Sequence, residues 1–357
     1  LITYIQLLYL LTINLNIKWP NFLEKIINGF DFITLDVFGI SNEDLNCTID
    51  TGFYNKFIFY MLLIPIIILL NKVALIIVQC LKKEDKNIVN SRYIYTNILI
   101  VYMLYSPSTD IILKIYKCKE IENEWYLSAD LSEKCYDDKW ITYAILGGIF
   151  TLVYVIGIPL YFHRLLTNNR ALLNDKSFSY KYGFLFQGYK NEFYFFETIE
   201  MTKKIILMAT VIYLDESPTR IMIAMVIVFF YTIIVCYYQP INNMKDNFLN
   251  IIAGSELFLL LLMGLILEVK INVQDSYNEF AFNGFVFFLI FSVLFLGNYQ
   301  LFKAVVQSCT CEEKCHKKLL GCIRKKSETS SEGDNIEMNI IKKKIDKYTT
   351  ILRETCV

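Results

Sequence analysis

Apolar runs long enough to cross a lipid bilayer recur along this chain, and no other feature constrains its fold as much. Hydrocarbon offers no water to free N–H and C=O groups, so such runs must fold as helices that satisfy their own backbone. Crossing takes about 20 residues. Phe53 to Leu81 is the strongest run and holds Pro65, while Trp140 to Leu166, Thr219 to Tyr238 and Phe280 to Phe302 are comparable. Hydrophobic residues make 55% of the chain and aromatics 15%, with a mean hydropathy of +0.40. That is too apolar for an ordinary soluble domain.

The fold class is therefore all-α, a polytopic membrane helix bundle of about eight spans. These fall near 1–17, 53–81, 93–116, 140–166, 193–214, 219–238, 247–267 and 280–302. The multi-pass domain covers 1–307, and 308–357 form a Cys-rich, partly disordered tail. The chain opens LITYIQLLYLL without a Met and already in a helical pattern, which reads as the edge of a fragment. No signal peptide is visible.

Two spans are poor candidates. The first is short. The other lies in NEFYFFETIEMTKKIILMATVIYL, Asn191 to Leu214, whose uninterrupted apolar part begins only at Ile205. On a helix Glu197, Glu200 and Lys204 share an arc of about 60°, with Lys203 about 60° beyond Glu200. Opposite charges at this spacing pair along one face. Two readings stand: charges at the inner interface whose lysines snorkel to water, and a charged vestibule. The span near 93–116 is expected to break at Ser106-Pro107, because proline removes a backbone donor and frees a carbonyl.

Lys and Arg concentrate in the loops 82–92, 163–195 and 239–246 and in the tail, which places these in the cytoplasm together with both ends of the chain. The plasma membrane is the expected location. Lys117 to Lys139, a polar loop, then lies outside. Its Cys118 and Cys135 read as a disulfide, which that compartment permits, and Cys47 is left over. Asn46 heads an outside glycosylation sequon, and Trp19, Trp125 and Trp140 fall at or beyond the outer interface.

Glu256, near the middle of IIAGSELFLLLLMGLIL, is the sharpest single residue. An ionisable group there costs roughly 2.5–3.5 kcal/mol on insertion scales, so it must face protein or water. It reads as part of a cation pathway or as a carboxyl bonded to a neighbouring helix. Asp110 follows YSPST and reads as a cavity residue or as a polar helix end. A cavity or ion pathway would contain Glu256, Asp110, Ser106 and Ser255.

In the tail, Cys309, Cys311 and Cys315 are juxtamembrane and read as palmitoylation sites. With Cys322 and His316 they match no standard zinc finger, so no metal site is assigned. No phosphate loop or catalytic triad is present, and the chain is read as neither an enzyme nor a cofactor binder. Its expected partners are the bilayer, cations and a second copy of itself as a homo-oligomer, with no nucleic acid.

Several phrases in order carry a resemblance: IKWPNFL, LDVFGISNEDLNC, YSPSTDI, WYLSADLSEKC, VYVIGIPLYFHRLL, FYFFETIEMTKKIIL and YYQPINNMKDN. Together they resemble the C-terminal multi-pass module of large protist surface proteins, which is similar at a distance to the fungal TRP-like membrane family. The resemblance covers roughly Trp19 to Leu267. It implies an ectodomain ahead of this segment and makes Cys118 and Cys135 the loop cysteine pair. The family carries a Trp where Phe196 stands before Glu197, a change expected to touch interface anchoring. By analogy the module is a cation channel or channel-like sensor. A receptor or adhesion anchor without conduction, or a transporter, are the alternatives.

Overall fold

The structure, a computed structural model, describes residues 2–15, 17, 19, 52–81, 86–214, 217–270, 284–300 and 303. Its helices are α1 (Ile2–Asn14), α2 (Phe53–Leu81), α3 (Lys86–Lys114), α4 (Asp138–Phe150), α5 (Gly157–Asn168), α6 (Lys176–Tyr182), α7 (Phe196–Tyr213), α8 (Ser217–Tyr238) and α9 (Met244–Lys270), then α10 (Gly284–Gln300). The chain divides into two units, Leu1–Val293 and Leu294–Val357. The second is described only over 294–300 and 303, where it is helical.

Among the described residues four helical segments are long and apolar enough to cross a membrane: Phe53–Cys80, Asp138–Asn168, Pro218–Tyr238 and Met244–Val269. Length and composition thus support four of the about eight expected spans. Asp138–Asn168 is α4 and α5 joined through a π-helical turn, Thr151–Ile156. The outward faces are apolar, with Leu69, Leu70, Leu152 and Phe230 exposed. Exposure of that kind suits lipid.

The loop after α3 is not irregular. It forms an antiparallel sheet of β1 (Cys118–Ile121), β2 (Glu124–Leu127) and β3 (Asp130–Lys134). Glu122 and Asn123 turn the first hairpin with positive φ at both positions, the geometry of a two-residue hairpin turn. Cys118 and Cys135 are bonded, with Cα atoms 6.3 Å apart. Asp130 accepts from the Phe53 amide at 3.1 Å, tying the sheet to the start of α2. Partial burial pushes the Asp130 carboxyl up, but bonds from Ser132 and Phe53 outweigh it and hold it below its ordinary range. Asp137 caps α4 by accepting from the Trp140 amide at 2.6 Å.

The orphan carbonyls at the end of α3 meet aromatic donors at this same end. Trp140 donates to Ile115 O at 3.1 Å and Tyr213 to Leu113 O at 2.9 Å. At the opposite end the segment before α7 is stitched to the turn before α9. Tyr189 bridges Ile241, and the Asn242 side chain donates to Tyr189 O at 2.7 Å. Asn247, buried, closes the turn by donating to Ile241 O at 2.6 Å and accepting from its amide at 3.0 Å. This accounts for Asn242 and Asn247 of YYQPINNMKDN. Because α7 starts at this end and its Tyr213 reaches the sheet end, it runs the length of the bundle.

Three prolines lie inside apolar helical segments, and none breaks its helix. α3 runs unbroken through Pro107, contrary to the expected break at Ser106-Pro107. Each proline leaves the carbonyl four residues earlier without its helical donor, and a side chain from another helix takes its place. For Pro65 the Tyr154 hydroxyl donates to Met61 O at 2.9 Å. For Pro107, Gln6 of α1 donates to Met103 O at 3.1 Å. For Pro159, Tyr105 of α3 donates to Val155 O at 2.9 Å.

α1, weak by sequence, is an interior helix, with Tyr4, Ile5 and Leu7 to Leu11 buried. Trp19 is not an interface anchor. It is buried, donates to Thr12 O at 3.2 Å, and lies where a Cβ on Gly264 of α9 would meet its ring at 2.9 Å. Residues 20–51 and 304–357 lie outside the described residues. The glycosylation reading of Asn46, the spare Cys47 and the palmitoylation reading of Cys309, Cys311 and Cys315 fall there.

The sheet end rests on its covalent tie. Cys135→Ser should lower stability by about 2–4 kcal/mol, the usual contribution of a native bridge. Thermal melting of the purified chain checks this, and dithiothreitol should lower the melting point of the parent but not of the variant.

Candidate functional site

The charged face of α7 turns into the bundle. Glu197, Glu200 and Lys204 are all buried, Lys204 with only 1% of its surface exposed. Lys204 does not snorkel. Its ammonium donates to Gln6 Oε1 of α1 and Ser106 Oγ of α3, both at 3.3 Å. It also lies 4.8 Å from the Tyr102 ring centre. Ser106 in turn donates to Gln6 Oε1 at 3.3 Å. The Gln6 amide therefore meets Met103 O through its nitrogen, and Ser106 and Lys204 through its oxygen. One side chain of α1 joins α3 to α7.

The other charges close on aromatic hydroxyls. Glu200 pairs with Lys203 at 2.6 Å and accepts from Tyr231 of α8. The Lys203 ammonium sits 3.6 Å from the Tyr231 ring centre, an arrangement favoured by the negative ring face. Glu197 accepts from Tyr189 at 2.8 Å. A buried ion pair repays its desolvation only when its remaining atoms are also bonded, and this cluster meets that condition largely with tyrosines. Phe196 is 1% exposed and packs its ring on Tyr189 and Tyr231. Its role is core packing and not interface anchoring.

Beside the cluster lies a cavity of about 420 Å³, walled in part by Tyr102, Tyr189, Glu197, Glu200, Lys203 and Tyr231. Glu256 is outside this wall. It is 2% exposed, accepts from the Tyr4 hydroxyl of α1, and its second oxygen has no hydrogen-bond partner. Gly254, two residues earlier on α9, lets Thr232 of α8 come close, since a Cβ there would meet its hydroxyl at 2.4 Å. Ser255 is exposed and so does not share the interior with Glu256.

Asp110 belongs elsewhere. It pairs with Lys114 at 2.6 Å and accepts from Asn14 of α1 at 2.8 Å. With Ser106 and Gln6 it borders a cavity of about 20 Å³, room for about one water. The structure brings Ser106 to Lys204 and to Asp110, but it does not bring Glu256 to Asp110.

The partners Gln6, Tyr4, Tyr189 and Tyr231 were not singled out by sequence. Gln6 had a signal, as a lone amide in an otherwise apolar helix. The tyrosines had none, because the chain contains 25 of them. Among the described residues no three His, Cys, Asp or Glu come together as a metal site.

Helices of membrane-crossing length enclosing a paired polar interior define this as a helical integral membrane protein. The chain is 27% identical over 160 residues to cysteine repeat modular protein A of Toxoplasma gondii. That alignment covers 41% of this chain and 5% of that protein, so the chain spans a small fraction of its relative's length. No family model matches the chain. No solved structure matches it.

The Tyr4–Glu256 contact predicts a particular pattern of stability. Tyr4→Phe leaves a buried carboxyl without a donor and should cost about 1–3 kcal/mol. Adding Glu256→Leu removes the orphaned group and should recover most of that loss. Reversible unfolding in detergent, followed by Trp fluorescence, measures both.

Proposed function

We propose that this chain is the C-terminal membrane module of a larger surface protein, and that it works as a receptor or adhesion anchor without conducting ions. The observation that carries this reading is the pairing of its buried carboxyls with neighbouring side chains. Glu256 is bonded to Tyr4, Asp110 to Lys114 and Asn14, and Glu256 does not line the cavity that Asp110 borders. A conducting path needs such groups to face common water, whereas an anchor needs them to fix helices together.

In this reading the module crosses the plasma membrane about eight times, with both ends in the cytoplasm. Arg92 and Lys176, from different basic loops, border one groove at the end opposite the sheet, and the bias of Lys and Arg makes that end cytoplasmic. The disulfide-bonded sheet is then outside, in an oxidising compartment. The partial likeness to a cysteine repeat modular protein supports a cysteine-repeat ectodomain ahead of this segment. The kinship with the fungal TRP-like family belongs to the proposal as well.

A channel is the second reading, favoured by the acid-lined cavity of about 420 Å³. Purified chain in liposomes decides between the two. The anchor reading expects potassium and calcium flux no greater than in empty vesicles. Flux in the parent that disappears in Glu256→Gln would overturn it in favour of the channel.

A further inference from the structure

The cavity beside α7 has a composition that the anchoring role does not use. Its volume of about 420 Å³ falls within the range of small-molecule sites, roughly 300–1,000 Å³. Three carboxylates border it, Glu197, Glu200 and Asp246, against the one ammonium of Lys203. Aromatic rings from α3, α8 and the segment between α5 and α7 complete the polar side: Tyr102, Tyr231, Phe184 and Tyr189.

One half of this wall already holds a cation. The Lys203 ammonium is bonded to Glu200 at 2.6 Å and lies 3.6 Å from the Tyr231 ring centre. The other half has an acid and aromatic rings but no ion pair, and its nearest cation, the Lys204 ammonium, stands by the Tyr102 ring, 4.8 Å from its centre. Glu197 is 8% exposed and takes a bond from Tyr189 at 2.8 Å, with Tyr102 and Phe184 on the same wall, their ring centres 5.0 Å apart. Its nearest candidate counter-ion, Lys204, directs its bonds to Gln6 and Ser106. Among the described residues no Lys or Arg forms an ion pair with Glu197. A buried carboxylate against aromatic rings and room for a small molecule are the components that recognise ammonium groups.

We propose that this cavity binds a small organic ammonium compound, its cationic group held by Glu197 beside the rings of Tyr189 and Phe184. The same chemistry is offered by a free amine and by an ammonium-bearing lipid headgroup. The site does not depend on which face of the membrane it opens to, nor on whether the protein conducts.

The test uses the full chain in detergent, with choline chloride and ethanolamine hydrochloride as probes and sodium chloride at equal ionic strength as control. At least one amine should raise the melting temperature where sodium does not, and labelled amine should be retained in equilibrium dialysis. Glu197→Gln keeps the acceptor for Tyr189 but removes the charge, and should weaken binding at least tenfold. Ala253 also lines the cavity, and Ala253→Leu narrows it without touching a charge. It should also abolish binding, and a cooperative melt shows that it folds, which keeps the comparison sound if Glu197→Gln folds poorly. In nanodiscs, retention of phosphatidylcholine or phosphatidylethanolamine over phosphatidylglycerol, lost in Glu197→Gln, identifies a lipid headgroup as the source. Binding of the free probes alone identifies a soluble amine. The proposal is overturned if sodium shifts melting as much as the amines, if the folded parent binds neither amine nor lipid, or if either folded variant binds like the parent.

Discussion

A backbone carbonyl without a donor costs several kcal/mol in hydrocarbon, and proline creates one wherever it enters a helix. Three times this chain puts proline inside an apolar helical segment, and three times another helix supplies the missing donor. Tyr154 serves Met61, Gln6 serves Met103 and Tyr105 serves Val155. These bonds run from α2 to the segment joining α4 and α5, from that segment to α3, and from α3 to α1. They form a chain of obligatory contacts that fixes which helices are neighbours. Apolar packing alone is a weak arbiter in lipid, because lipid tails are as apolar as leucine.

Gln6 links that chain of contacts to the charged interior. Its nitrogen meets the carbonyl freed by Pro107, and its oxygen meets Ser106 and Lys204. The polar stripe of α7 can then lie inside, where a cavity borders it. The same arrangement that anchors α7 leaves Glu197 bordering a cavity beside aromatic rings, so stability and recognition draw on one set of residues.

Much of the fold was legible in the sequence, and the failures have physical causes. Length and apolarity marked the four strongest helices, and loop position marked the disulfide. α1 and α7 looked weak because span criteria assume contact with lipid. α1 is an interior helix and α7 turns its charged face inward, so their polar residues meet one another, and hydropathy cannot express that pairing. Pro107 looked like a break because the partner that repairs it, Gln6, lies far away in sequence. Asp110, Glu256 and the α7 charges were recognised as residues needing partners. Which partners they find depends on tyrosines that no pattern distinguished from the rest. The three-stranded sheet was hidden because its strands are short and mostly exposed, with no alternation strong enough to read.

The claim that proline-freed carbonyls organise the bundle is tested most directly by pairing Tyr154→Phe with Pro65→Ala. The phenylalanine removes the hydroxyl that serves Met61 O, and the alanine restores the helical amide that makes the hydroxyl unnecessary. In reversible unfolding of the purified chain, Tyr154→Phe should cost about 1 kcal/mol in the parent and close to nothing in the Pro65→Ala background. Equal losses in both backgrounds, within the roughly 0.3–0.5 kcal/mol of independent sites, would contradict it.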